Sequence, residues 1–575
     1  MGAAASTGLP AALDKESAQL AAGDRFDEAT FDSAAVDGTV TREQFLAAAT
    51  SVDSAAAASS AESGRSAVTS ALRAAFQKDN PDGRFMVHTD PRFMHGWLYD
   101  GPITQPKVLW RSDQKPRKDH AAPVWLTASE YEDVPQVMDA KVKQLAQLLR
   151  LSKHTVVYSG AGISASAVGQ AALSGVNKTG WLEKTSAKPT MTHHALAILG
   201  QAGVISGWVQ QNHDGLPQKA GFPQEKICEV HGSWYDPSNP VVKYSGSLKS
   251  HEAGWMEAEM ERADLVLVLG TSLGGLNADR VATECAGRAL GVPGVSCVAD
   301  GANIRYVRGQ KGPACLGSVI INLQQTAEDD KMTLKVSGRS DDVLVRLLHE
   351  LGMADRLPAD PKRNVRCSAV QCALVPYDAN GMRLPGGSTE KRMWLNLAPG
   401  AAIKLISDGP AKHNHQGAKQ PNTIHIGSKP EQKFGGKPIA SAGSTPGHGK
   451  VVRREEDSCS LILQVEGAQC RLGIWWLEAA ARGGPAMIPL VNQAPTYEGS
   501  PDPSKSAAAA AASEQRGGKA PAKGASSQFA TAAAGATKKS GKKKLPPPPG
   551  VDMATVVAAA KAVDETMNAY AALAE

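Results

Sequence analysis

Val142, Leu145, Ala146, Leu148 and Leu149 recur at the three-to-four spacing of one helix face, and the pattern stops at Ser152-Lys153. A short apolar run, Thr155 to Tyr158, follows and leads straight into Gly160-Ala161-Gly162. Further runs of strand length stand at Val204 to Val209, Leu265 to Leu269, Val295 to Val298 and Val319 to Leu323, and several intervening segments are long enough for crossover helices. This alternation predicts an α/β domain with a Rossmann-like parallel sheet covered on both faces, whose ligands bind at the carboxyl ends of the strands. Asp341 to Leu351 closes it, with Leu344, Leu347, Leu348 and Leu351 on one face, so the domain spans 137–357.

The flanks follow other patterns. Beyond Pro358 come short β-type runs at Ser368 to Val375, Met393 to Leu397, Ile403 to Ile406, Ser460 to Val465 and Cys470 to Leu477. Strands without helical pattern between them predict a small antiparallel β-domain over 364–492. Its long 407–450 loop carries His413, His415, His425 and His448, which lack an ordered spacing and read as solvated loop residues. Residues 493–550 are Ala/Lys/Ser/Pro-rich, too poor in large apolar groups to fold, and read as a disordered tail ahead of a short helix at 551–575. Upstream, 1–78 reads as a helical region and 79–136 as an ordered lead-in that wraps the next domain. Phe31 to Phe45 resembles a decayed EF-hand: with Gly38 at the turn, positions one, three and twelve are Ser33, Ala35 and Gln44, leaving Asp37 as the main carboxylate. That predicts a helical hairpin without metal, followed by a linker or marginal helix from Ser51 to Ser66.

Composition adds limits. The chain of 575 residues is 42% hydrophobic and 21% charged, an ordinary globular balance, and its net charge of +5 is too small to argue for nucleic acid. Lys538, Lys539, Lys542, Lys543 and Lys544 suit nuclear import or an acidic partner and equally suit a solvated tail. The eight cysteines contain no C-x-x-C pair, and no apolar leader or membrane-length run is present, which predicts a reducing, intracellular setting, cytoplasmic or nuclear. The opening Met-Gly-Ala-Ala-Ala-Ser fits the acceptor pattern for myristoylation on Gly2, and a single acyl chain gives only weak peripheral membrane contact.

Five stretches downstream of the glycine loop make it specific: PTMTHHAL (Pro189 to Leu196), QQNHDGLPQKAG (Gln210 to Gly221), EVHGS (Glu229 to Ser233), LGTSLGGLNADR (Leu269 to Arg280) and VIINLQQT (Val319 to Thr326). In this order the chain, over about Val137 to Met353, resembles the sirtuin family of NAD-dependent protein lysine deacylases. The resemblance implies NAD as cofactor, with Gly160, Ala161, Gly162 and Ser164 cradling the pyrophosphate. It places Gln211, Asn212, Asp214, Gly270, Thr271, Ser272 and Asn322 on the cofactor. Asn212 and Asp214 would orient ribose and a water, and His231 would be the catalytic base, an imidazole titrating in the useful range. Taken singly, His231 reads as a core histidine and Thr271-Ser272 as a helix cap. His193-His194 reads as a structural pair, since no H-E-x-x-H accompanies it. Glu183 stands near the distance at which a dehydrogenase carries its ribose acid, but its neighbours do not read as a strand end.

Three departures from the family stand out. Where a Pro-Asp-Phe-Arg segment encloses nicotinamide, this chain has Gly169, Gln170, Ala171, Ala172 and Leu173. No cysteine lies between Gly232 and Ala263, so no zinc ribbon and no structural zinc is expected; Cys228 and His231 have a ligand-like spacing but lack partners. Finally, His213 separates Asn212 from Asp214, where it either perturbs the site or bonds a carbonyl. Val241-Val242-Lys243-Tyr244 resembles the edge that takes an acylated lysine peptide by strand addition, but Tyr244 to Ser247 replace the usual Phe-Gly-Glu. The resemblance thus implies an NAD-dependent deacylase releasing nicotinamide and O-acyl-ADP-ribose. Two alternatives stand beside it: an NAD-binding scaffold without turnover, and an interaction protein of membrane or cytoskeleton acting through Gly2 and the lysine run.

Overall fold

In the computed structural model, six apolar strands pair in parallel and set the frame for everything else. The structure describes residues 39–79, 94–113, 125–169, 185–242, 248–291, 314–362, 369–406 and 447–503, with short pieces at 12–15, 18–19, 32, 35–37, 117–118, 295–300, 303–308, 423–425 and 438–441. The strands are β1 (Thr155–Ser159), β2 (Gly207–Gln210), β3 (Ile227–Glu229), β4 (Leu265–Leu269), β5 (Gly317–Asn322) and β6 (Leu334–Ser337), in the order β6-β5-β4-β1-β2-β3. This is the doubly wound order in which the chain reverses direction across the sheet between β1 and β4, and a crevice opens at their carboxyl ends.

The two faces divide by strand periodicity. Val157, Leu265, Leu267, Leu269 and Ile321 pack under α2 (Pro135–Leu151), α3 (Met191–Gln201) and α6 (Ser340–Glu350). Val156, Tyr158, Val266, Val268 and Ile320 pack under α1 (Arg42–Asp79), α4 (Ser250–Arg262) and α5 (Arg280–Leu290). Each fully buried large aliphatic or aromatic side chain contributes roughly 1.5–3 kcal/mol, so covering both faces is what fixes this sheet.

The helix α1 takes in Ser51 to Ser66, so of the two readings, linker or marginal helix, the segment is helical. Two contacts account for it. Thr41 and Gln44 form a reciprocal cap, the Gln44 N–H donating to Thr41 Oγ1 at 3.2 Å and the Thr41 N–H to Gln44 Oε1 at 2.9 Å. Gln44, the residue at the twelfth EF-hand position, is thereby used as a cap. Farther along, Leu72 and Phe76 are buried, Thr69 Oγ1 bonds both the carbonyl and the N–H of Cys315, and Gly64 has no room for a Cβ beside Leu151. The Phe31 to Phe45 segment is described only in part; there residues Thr39–Thr41 pair antiparallel with Ala12–Asp14, burying Val40 against Leu13.

Residues 95–98 run along the β6 edge, with Trp97 and Leu98 N–H donating to the Met332 and Thr333 carbonyls. Gly96, at φ +89, lies so close to β6 that a Cβ would stand 2.5 Å from Leu334 Cα. One expectation for the sheet fails. Val295–Asp300 does not join it but pairs antiparallel with Asn303–Arg308, close in the chain, and local pairing of this kind closes far less chain than a crossover to the sheet. Strands β3 and β6 take places that apolar runs did not announce.

The C-terminal part has two antiparallel sheets: β7 (Cys372–Val375), β8 (Met393–Asn396) and β14 (Thr496–Tyr497) in one, and β9 (Ala402–Leu405), β10 (His448–Glu455), β11 (Ser460–Val465), β12 (Ala468–Gly473) and β13 (Leu490–Asn492) in the other. Of the expected strand Cys470 to Leu477 only the first part is extended; α7 (Trp475–Arg482) follows, since Trp476, Leu477 and Ala480 bury one face in a run of good helix formers. His448 lies on β10 and His425 on the paired stretch Thr423–His425, whereas His413 and His415 lie outside the described residues. Thr496-Tyr497 pairs with β8, so the described fold runs past the tail boundary read at 493. The tail beyond 503, the helix expected at 551–575, and Gly2 lie outside the described residues. Among the described residues no helix is long and apolar enough to cross a membrane.

Candidate active site

Where β1 and β4 end side by side, two loops touch through glycine. The Gly160 N–H donates to the Leu269 carbonyl at 3.0 Å and the Gly162 N–H to the Gly270 carbonyl at 2.8 Å. A Cβ on Gly162 would stand 2.6 Å from Gly270 Cα, and one on Gly270, at φ +59, would stand 2.5 Å from the Ile163 nitrogen. Only glycine permits this approach. At the rim of the same crevice the backbone N–H groups of Ala161, Thr271 and Ser272 have no intramolecular partner among the described residues. Three unpaired donors on two adjoining loops make an anion-binding concavity.

Beneath the loop lies a closed polar network. Ser164 Oγ donates to Asp214 Oδ2 at 2.7 Å, and Asn212 Nδ2 donates to Ser164 Oγ and to the Gly160 carbonyl, each at 3.1 Å. The Leu216 N–H donates to the other Asp214 oxygen at 3.1 Å. His193 completes it: its Nδ1 accepts from the Thr190 N–H at 3.2 Å, so the proton sits on Nε2, which faces Ser164 Oγ at 3.4 Å. Ser164 thus accepts two bonds and donates one. Burial pushes the Asp214 carboxyl above its usual range, with the Ser164 hydroxyl and the Leu216 N–H opposing. His194 donates to the Pro361 carbonyl at 2.7 Å, so both histidines of the pair are structural.

His231 follows β3 and is only partly buried. Burial first, then the neighbouring His213, lower its pKa to about 4, while a hydrogen bond to the Gln211 carbonyl acts the other way. With one ring N–H on that carbonyl, the other nitrogen carries a lone pair at neutral pH. His213 does both things its position allows: its Nδ1 donates to the Gly232 carbonyl at 2.8 Å, and its charge disfavours protonation of His231.

Asn322, at the end of β5, donates to the Thr271 carbonyl at 3.2 Å, and Ala327 N–H donates to the Ser272 carbonyl at 3.0 Å. Gln211, Tyr158 and Asp279 hold the loop from the other side. Gln211 Nε2 bonds the Tyr158 hydroxyl, which donates to Asp279 Oδ1 at 2.7 Å, and Asp279 Oδ2 accepts from the Gly275 and Leu276 N–H groups, each at 2.8 Å. Every residue predicted for the site therefore stands at the carboxyl end of β1, β2, β3, β4 or β5. The sequence pattern assigns no role to Tyr158 or Asp279 and gives His193 only as half of a structural pair, without its place under Ser164. The signal for Asp279 was an acid just ahead of α5, where it caps a loop.

No protein-family model matches the chain. It is 29% identical over 272 residues to the NAD-dependent protein deacetylase SRT1 of Arabidopsis thaliana, an alignment covering 39% of this chain and 52% of that protein. It is 29% identical over 254 residues to the NAD-dependent protein deacetylase sirtuin-7 of Homo sapiens, covering 38% and 62%. Against the NAD-dependent protein deacylase 2 of Archaeoglobus fulgidus the identity is 26% over 257 residues, covering 37% of this chain and 97% of that one. The chain is thus similar to sirtuins over 37–39% of its length. The match spans about half to three fifths of the length of the plant and human relatives. The solved structure "Sir2 bound to acetylated peptide" is similar over 37% of this chain and 99% of its own, at 23% identity and a TM-score of 0.28.

The departures from the family pattern are partly visible. Gly169, at φ +79, ends the helix of residues 165–168 with its N–H on the Ala165 carbonyl at 3.0 Å. Gln170 to Leu173 and Lys243 to Ser247 lie outside the described residues. After His231 the chain is held by hydrogen bonds: Asn239 Nδ2 donates to the Glu229 carbonyl at 3.0 Å, and Val242 N–H to the His231 carbonyl at 3.0 Å. Cys228 donates to the Glu252 carbonyl, and among the described residues no group of three His, Cys, Asp or Glu is arranged to hold a metal ion.

The buried histidines set an acid limit. Burial lowers the pKa of His193 to about 3 and that of His231 to about 4, against 6.5 for a free imidazole. As pH falls below about 6.5 the unfolded chain takes up these protons before the folded chain does, so stability is lost from there down to about pH 4. Each histidine contributes up to about 1.4 kcal/mol per pH unit in that window. Urea unfolding at pH 7.5, 6 and 5 is expected to show a falling midpoint, with a shallower fall in His193→Gln. The same slope in both proteins would count against this.

Proposed function

We propose that this protein is a sirtuin that binds NAD and uses it to remove acyl groups from protein lysine, releasing nicotinamide and O-acyl-ADP-ribose. The observation that carries the reading is the glycine-walled crevice at the β1/β4 switch point, with three N–H donors unpaired among the described residues and His231 after the end of β3 in the same sheet, hydrogen-bonded to the Gln211 carbonyl at the end of β2. Ala161, Thr271 and Ser272 would bind the pyrophosphate through those donors, with Gly160, Gly162 and Gly270 keeping side chains out of the way. Asn212, Asp214 and Asn322 would orient ribose, and Gln211 would hold the loop over it.

When bound, NAD would supply the electrophilic anomeric carbon for the acyl oxygen of the lysine, with nicotinamide as the leaving group. The lone pair of His231 would serve as the base for a hydroxyl of the bound ribose. Its depressed pKa keeps the imidazole neutral for this role across the physiological range. Beside Val241 and Val242 an acylated peptide would add as a strand. The reading requires no structural zinc, since hydrogen bonds hold residues 232–242.

Incubating the protein with NAD and peptides carrying acyl-lysines of several chain lengths is expected to release nicotinamide and yield O-acyl-ADP-ribose by mass. Release from none of them would end the enzyme reading. The residues at 170–173, which contain no acid, aromatic or arginine, favour a second reading, an NAD sensor without turnover. Calorimetric NAD binding without nicotinamide release would select it.

A further inference from the structure

Trp475, the first residue of α7, projects out of the C-terminal β-domain onto the turn that carries Asp214. Its ring centroid lies 5.4 Å from that of Tyr235, and its indole N–H donates to Gln224 Oε1 at 2.9 Å. The same glutamine oxygen accepts from Gln218 Nε2 at 3.2 Å. Gly215, next to Asp214 and at φ +62, is packed so tightly that a Cβ would stand 2.8 Å from Tyr235 Cδ2 and 3.0 Å from Trp475 Cη2.

A second line of contact runs through the backbone. The Gly473 N–H, at the end of β12, donates to the Tyr235 carbonyl at 2.9 Å. The Tyr235 hydroxyl accepts from Lys219 Nζ at 2.9 Å and donates to the Thr185 carbonyl at 3.2 Å, and Lys219 also donates to the Ala187 carbonyl at 3.3 Å. Lys188 in turn reaches the Asp457 carbonyl of the β-domain at 3.3 Å. The β-domain therefore grips both the turn at 212–219 and the segment at 185–188 that returns from the glycine loop to α3. Among the described residues no disulfide and no metal-ligand group spans this wall, so packing and hydrogen bonds hold it.

We propose that the C-terminal β-domain is a structural part of the NAD site, with Trp475 as a positioning residue that holds the Asn212 to Lys219 turn through Tyr235 and Gly215. The inference rests on the NAD reading above. Asp214 and Asn212 are aligned by the turn rather than by Trp475 directly, and a displacement of about 1 Å there costs about 10²-fold in rate.

The test uses the full chain and three variants: Trp475→Ala, Trp475→Phe, and Val451→Ala, which opens a cavity in the β-domain core where β10 pairs with Leu463, three residues along β11 from the Ser460 that pairs with Gly473. Hydrogen exchange is followed at 185–190, 212–219 and 460–473, alongside calorimetric NAD titration. Trp475→Ala is expected to speed exchange at 185–190 and 212–219 and to weaken NAD binding at least about tenfold, while 460–473 stays protected. Trp475→Phe, which keeps a ring against Gly215, should restore most of the protection. Val451→Ala should loosen 460–473 alone. Unchanged exchange in Trp475→Ala, or the same pattern in Val451→Ala, would overturn the proposal. If the wild type gives no NAD heat, the cofactor reading falls, and the exchange data still decide whether Trp475 holds the wall.

Discussion

Replacing His231 by alanine is expected to lower nicotinamide release about 10²–10⁴-fold while leaving NAD affinity within about threefold of wild type, the range for loss of a positioned general base. The split follows from where the residue stands. His231 is hydrogen-bonded to the Gln211 carbonyl, whereas among the described residues the glycine loop, the Ser164, Asn212 and Asp214 network and the unpaired donors are built without it. Its partial exposure leaves a ring nitrogen free for a proton. Removing it should therefore take away a proton acceptor and little binding surface. Single-turnover nicotinamide release and calorimetry on the same preparation check both halves. A loss below about tenfold would remove His231 from the base role, and a parallel loss of NAD affinity would make it a structural residue.

The largest effect on stability is expected at a pair far from the chemistry. Lys141, on α2, donates to both oxygens of Asp133, at 2.8 and 2.7 Å, and both side chains are 0% exposed. Asp133 also accepts from the Ser337 N–H at 2.8 Å, so the pair fastens α2 to the β6 edge of the sheet. Burial is the first cause of both shifts: it lowers the Lys141 pKa to about 8 and raises that of Asp133, each against the attraction of its partner. Desolvation thus outweighs pairing, and the pair is held by the fold more than it holds the fold. Lys141→Met or Asp133→Ala alone strands a buried charge and should cost about 3–5 kcal/mol in urea unfolding. The double variant Asp133→Leu/Lys141→Met should recover most of that, short of the bond to Ser337. Singles within about 1 kcal/mol of wild type would show that water reaches this pair.

The active-site motifs were legible because each lies at a strand end, where the apolar run and the glycines that follow are contiguous in the chain. Gly160, Gly162 and Gly270 announce a close backbone approach wherever they stand, and Asn212, Asp214 and His231 follow short strands of one sheet. What was hidden is the support beneath them. His193 is a neutral donor to Ser164 only because Thr190 occupies its other nitrogen, and Asp279 ties the loop before it to β1 through Tyr158. In sequence, these are a histidine in a helix and an acid at a helix start.

By itself, then, the sequence determined the strands β1, β4 and β5, the helices over them and the glycines between, since periodicity and backbone freedom are properties of neighbouring residues. Only the tertiary structure decided which runs share the sheet. It admitted Leu334–Ser337, whose Lys335 breaks the apolar pattern but reaches Asp329 at 3.3 Å, and it turned Val295–Asp300 aside into a hairpin. It likewise brought Trp475 to Gly215 and Asp133 to Lys141. Such pairings depend on how the topology closes over long stretches of chain, and no local pattern encodes the partner.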